Sequence, residues 1–193
     1  MFFDDYTHTK VVYHITPLSK LKEILEKGIK LNEYMNPDYC EFNRYFDRFK
    51  NDAIPKWVLR EKAIYGSINF KSDHKWHSHS AILALKIDEQ KCWIGNENLA
   101  NILYEPYVLK DLNMFKSAEI LIKTRGDEFP LNYWNNSLSF KQNLTARLDF
   151  TDNYDAEVLI MQDISPRDIN VIKLISDHKL MDVKEWNTEF ESL

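Results

Sequence analysis

Hydrophobic and polar residues are ordered most clearly at the start of the chain. Lys10 to Ile15 (KVVYHI) reads as a β-strand running directly into a helix. Thr16 is a suitable N-cap and Pro17 suits the first helical position. Leu18, Leu21, Ile24 and Leu25 recur at helical spacing, and Gly28 suits a left-handed C-cap. Residues 32–62 are polar and aromatic, with Pro37 and Pro55, and predict loops with a short helix near Trp57 to Lys62. Ala63 to Phe70 and Ile82 to Ile87 read as strands, and Lys91 to Ile94 is expected to pair with the latter across the Asp88–Gln90 turn. Glu97 to Lys110 predicts a helix and Ala118 to Lys123 a further strand. Gly126 to Tyr154 reads as irregular apart from a helix around Ser139–Arg147, before two last strands at Ala156 to Gln162 and Ile169 to Ile175. Strands dominate this pattern without βαβ alternation, so the expected class is α+β.

Length and composition narrow the picture. A chain of 193 residues fits one domain, large enough to bury roughly 70% of its unfolded surface. A net charge of −5 argues against a general nucleic-acid binder, which carries a basic excess. No segment reaches the length of a membrane span, and MFFDDYTHTK has acids where a secretory signal carries basic residues. With only Cys40 and Cys92, a disulfide framework is not expected, and a cytoplasmic location fits. The four glycines are too scattered for a phosphate-cradling loop, so a nucleotide would have to bind by another route.

Three stretches carry candidate chemistry: Tyr13-His14-Ile15-Thr16, Ile64-Tyr65-Gly66-Ser67, and Ala156-Glu157-Val158-Leu159-Ile160. An acid flanked by so apolar a strand is expensive to bury without a purpose. His74-Lys75-Trp76-His77-Ser78-His79 holds three imidazoles, but their spacing does not put them on one face of a helix or strand. A polar loop is expected there and no metal site. Neither cysteine has a base beside it in the sequence to make it a nucleophile.

YHITPLSKLKEILEKGI resembles the N-terminal signature of ADP-ribosyltransferase-fold proteins, most of all DNA-modifying toxins of the DarT type, and AEVLIMQDISPRDINVIKL is similar to their C-terminal stretch. The resemblance covers the two ends of the chain and the middle only in outline. It implies an ADP-ribosyltransferase-like split β-sheet with few helices, NAD as cosubstrate, and a nucleic acid or protein as acceptor of ADP-ribose. An antitoxin partner is a further implication. Carried over, Glu157 would be the catalytic carboxylate, His14 would bond the donor ribose, Thr16 would help position the donor and Tyr65 would pack on the nicotinamide ring. These four residues are expected to line one cleft, with His14 and Glu157 on the same face of the sheet. The family's phosphate-binding arginine has three candidates here, Arg44, Arg48 and Arg60, and no motif selects among them. An RNA 2′-phosphotransferase-like enzyme and a non-enzymatic nucleotide- or peptide-binding module on the same fold are the alternatives.

Overall fold

A computed structural model describes residues 2–31, 36–71, 74–177 and 179–191. Eight strands build one sheet: β1 (Val11–Pro17), β2 (Ile64–Ser67), β3 (Ser80–Lys86), β4 (Cys92–Asn96), β5 (Leu138–Ser139), β6 (Ala156–Ile160), β7 (Ile169–Ser176) and β8 (Lys179–Met181). Their order is β5-β4-β6-β2-β1-β3-β7-β8, and every neighbouring pair is antiparallel. The α+β expectation therefore holds, while the small share of helix does not. Eight α-helices are present among the described residues: α1 (Tyr6–Thr9), α2 (Leu18–Lys27), α3 (Pro37–Asp47), α4 (Glu97–Leu109), α5 (Lys116–Arg125), α6 (Glu128–Asn135), α7 (Phe140–Ala146) and α8 (Val183–Glu191).

Several local expectations are corrected. Thr16 does not cap α2: it is extended and buried, opposite Ala81 of β3, and Pro17 takes the N-cap position without a side-chain bond. The N–H of Leu18 finds the carbonyl of His79 instead, so the neighbouring backbone does the work a cap would do. Gly28 has φ +83°, and a Cβ there would lie 2.1 Å from the Ile164 carbonyl oxygen. The stretch expected to be looped contains α3, with Asn36 accepting from the Asp38 N–H and Pro37 in the first turn. Tyr39, Phe42 and Phe46 then fall on one inward face. Ala118 to Lys123 lies in α5, not in a strand. Its Ala, Glu, Leu and Lys content favours helix, and Glu119 pairs with Lys123 one turn on. β4 does not form a hairpin with β3 but pairs with β6 and β5.

The sheet is buried on both faces. Val12, Ile64, Val158 and Ile160 pack on one side with Ile24 of α2 and Phe140 of α7. Tyr65, Trp93 and Leu159 meet an aromatic layer from α3, α4 and α6 on the other, including Phe42, Phe46, Tyr107, Tyr133 and Trp134. The sheet is not evenly joined. β1 follows β3 along its whole length, from Val11 opposite Lys86 to Pro17 opposite Ser80, yet it meets β2 only at Tyr13 opposite Ser67. The candidate site lies at this seam.

Candidate functional site

At the seam, backbone groups of β1 and β2 are spared from the ladder, and a side chain takes one of them. The Nδ1 of His14 lies 2.7 Å from the carbonyl oxygen of Tyr65. A carbonyl only accepts, so Nδ1 carries the proton and Nε2 of a neutral ring is left as an acceptor. Burial lowers the imidazole pKa, outweighing the bond to Tyr65 that favours the charged form. The neutral tautomer is therefore the one the site holds.

Glu157 arrives from the other side of the seam. Tyr13, Ser67, Glu157 and Gly95 form one cross-strand row over β1, β2, β6 and β4. Against the expectation of a shared face, alternation along β1 turns His14 away from the face that carries Tyr13, so His14 and Glu157 leave the sheet in opposite directions. The sparse β1–β2 pairing nonetheless brings both to the wall of one cavity. That cavity, of about 180 Å³, is lined by His14, Tyr39, Tyr65, Glu97 and Glu157 among others. An adjoining cavity of about 440 Å³ shares His14, Tyr39 and Tyr65 and adds Thr16, Lys20, Lys30 and Tyr104. Of the four sequence candidates, three meet in the smaller cavity. Thr16 lines only the larger one.

Glu157 is 4% exposed and Arg60 1%, and the two form an ion pair through Nη1 and Oε1. Arg60 is held on every side. Its Nε donates to Asn43 Oδ1 at 3.0 Å, and its guanidinium lies over the rings of Tyr133 (4.5 Å), Phe46 (5.2 Å) and Tyr65 (5.4 Å). Asp47 fixes its backbone by accepting from the Arg60 N–H at 2.9 Å. The Tyr65 hydroxyl donates to the Arg60 carbonyl at 2.6 Å, so Tyr65 is anchored at its tip while its ring borders both cavities. Tyr133 is fully buried and its hydroxyl makes no hydrogen bond of regular geometry, although Arg60 and Glu157 both face it. Burial above all raises its phenol pKa, and the Glu157 charge adds to that. A Cβ at Gly95 would sit 2.0 Å from the Tyr133 hydroxyl oxygen, so glycine there gives this ring its place.

The three candidate arginines separate on structure. Arg44 pairs with Glu61 at 2.8 Å on the surface, Arg48 ends α3, and Arg60 is spent on Glu157 rather than open to a phosphate. Positive charge at the larger cavity comes instead from Lys20 and Lys30, the latter bonded to Asp163 at 3.1 Å. One residue went unnoticed in the sequence, and Arg60 was weighed only as a phosphate ligand. Nothing local pointed to its pairing with Glu157, 97 residues away. Glu97 looked like an ordinary acid in a first helical turn, yet it lines the smaller cavity together with Glu157. Burial raises its carboxyl pKa, and the Glu157 charge raises it further.

Other sites carry less. No group of three metal-ligating side chains occurs among the described residues, and His74 packs against Phe70 and Trp76. The buried Cys92 thiol is pushed up to about 12, mainly by burial, which suppresses a thiolate. No helix among the described residues is long and apolar enough to cross a membrane. Compared with protein-family models, with characterised proteins and with solved structures, the chain matches none.

Proposed function

We propose that the chain is an NAD-dependent ADP-ribosyltransferase that cleaves the nicotinamide–ribose bond at the seam between β1 and β2. The observation that carries this reading is that His14, Tyr65 and Glu157 all border one cavity at the seam. Breaking that bond leaves positive charge on the ribose, as in glycoside cleavage. A fixed carboxylate facing that charge stabilises the transition state more than the ground state.

The burial of Glu157 supports the role. Removing a carboxylate from water costs several kcal/mol unless it is paired, and apolar residues would fill the same space at less expense. Arg60 offsets that cost while Glu157 still borders the cavity. The pair thus holds the Glu157 carboxylate in place at the cavity wall. In this reading the free Nε2 of His14 accepts a hydrogen bond from a donor ribose hydroxyl. The Tyr65 face supplies a stacking surface for nicotinamide. The larger cavity holds the adenosine diphosphate portion, with Thr16 as a hydroxyl partner and Lys20 and Lys30 near the phosphates.

The test is direct. Purified protein is expected to release nicotinamide from NAD, and NAD is expected to raise its melting temperature by binding the folded state alone. His14→Ala should remove most of that thermal shift. Absence of both nicotinamide release and thermal shift at millimolar NAD would refute the assignment.

A further inference from the structure

Beyond the smaller cavity lies a third, of about 430 Å³, which opens at the same end of β6. Its wall includes Ser67, Asn101, Tyr154 and Ala156, together with Glu97. Among the described residues, Glu97 is the one ionisable side chain that borders both this cavity and the cavity of Glu157. Its place is fixed by α4: Asn96 caps the helix by accepting from the Asn98 N–H, and the Glu97 N–H donates to the Asp155 carbonyl at 2.8 Å. Asn101, one turn on, reaches its carboxylate at 3.4 Å. We propose that the third cavity receives the acceptor as an uncharged or cationic nucleophile, and that Glu97 is the base that takes the nucleophile's proton.

The proposal rests on the ADP-ribosyltransferase reading and deepens it. In the step, the C1′–N bond breaks and its electron pair leaves with nicotinamide. A lone pair of the acceptor's O–H or N–H group forms the new bond to C1′, and the released proton passes to the Glu97 carboxylate and then to water. Glu157 is unsuited to that second task because Arg60 engages its carboxylate. The charges around Glu97 also decide what enters. Lys71 is paired with Asp155 at 2.6 Å, and Arg147 with Asp149 at 2.8 Å, so two cavity carboxylates are already matched. Arg60 engages Glu157, and the imidazole of His74 lines the third cavity together with Glu97. The carboxylates there would repel a phosphate but not a hydroxyl, amide or guanidine.

Burial and the charges of Glu157 and Asp155 make Glu97 a stronger base than an exposed glutamate, against the opposing effects of Asn101 and Arg60. Tyr39 and Tyr154 stay protonated, their phenols raised by burial above all. The experiment follows nicotinamide release with water and then methanol as the nucleophile, from pH 4 to 8, beside calorimetric NAD affinity. Glu97→Gln is expected to slow release about 10²-fold at neutral pH, the usual contribution of a general base, and to flatten the acid limb. Its NAD affinity should stay near that of the wild type, and Glu97→Asp should restore part of the rate with its limb. In carbon-13 spectra of glutamate-labelled protein without NAD, Glu157→Gln should lower the pH at which Glu97 titrates. A wild type that releases nicotinamide, with Glu97→Gln equally fast and equally pH-dependent, would overturn the role of Glu97 alone. A wild type that releases none would overturn the NAD reading, and this proposal with it.

Discussion

Two arginines, Arg60 and Arg147, each bind carboxylates across long stretches of sequence, and their settings are opposite. Arg147, at the end of α7, reaches Asp5 and Asp149 and lies 3.9 Å from the Phe150 ring, with 27% of its side chain exposed. It is a clasp. It ties the N-terminal segment to the turn before β6 at a place where water shares the load. Arg60 has one carboxylate partner, one amide and three rings, and no comparable access to water. A clasp at the surface needs no more explanation than its geometry, whereas a lone pair of charges in an aromatic core is a poor way to gain stability. Under the proposed function, its value lies in the carboxylate it fixes at the cavity wall.

The contrast can be broken from the buried side first. Arg60→Met leaves Glu157 without its counter-charge and is expected to lower unfolding free energy by about 3–5 kcal/mol, measured in urea. The double substitution Arg60→Met with Glu157→Leu should recover most of that loss, because the stranded charge is gone. A double variant as unstable as the single one would show that packing around Arg60, and not the isolated carboxylate, sets the cost. Arg147→Met should be milder, about 1–2 kcal/mol, between an exposed ion pair and a buried charged hydrogen bond.

The smallest effect is in the pH dependence of the clasp. Burial opposes ionisation of Asp5, but hydrogen bonds from Thr7 and Arg147 outweigh it and hold the carboxyl at about 2, below its ordinary 3.8. The unfolded chain therefore binds this proton first. The stabilisation from Asp5 is complete above about pH 4 and is lost as pH falls from there through about 2. Asp5→Asn should flatten stability in that window, read from melting temperatures at steps of half a pH unit. An unchanged slope would assign the acid sensitivity to other carboxylates.

How far all this was legible depended on range. The alternation in KVVYHI and the spacing of Leu18, Leu21 and Ile24 are local signals, and β1 and α2 follow them. The cap of α2 was misread because Thr16 has the right chemistry for a cap, but β3 pairs with it first and holds it extended. Helix α3 was readable, since Asn36-Pro37 starts it and Phe42 and Phe46 mark its buried face. The aromatic and polar mixture around them obscured that period. In 118–123 the apolar residues fit a strand as well as a helix, and the helix-favouring content with the Glu119–Lys123 pair decides. His14, Tyr65 and Glu157 stood out because polar groups beside apolar strands are conspicuous. Arg60 and Glu97 did not, because an arginine in a polar stretch and an acid at a helix start are ordinary until the chain folds. The pairing of β6 with β2 and β4 makes them neighbours of Glu157.

The central claim is that Glu157 acts on charge that appears in the transition state, and one paired measurement addresses it. Glu157→Gln keeps the shape and can still bond a hydroxyl, but it carries no charge. Nicotinamide release by chromatography and NAD affinity by calorimetry are measured for this variant and the wild type. The account predicts near-equal affinity and release slowed by about 10² to 10³, the loss typical of one well-aligned electrostatic group. Equal release rates, or a loss of affinity as large as the loss of rate, would contradict it.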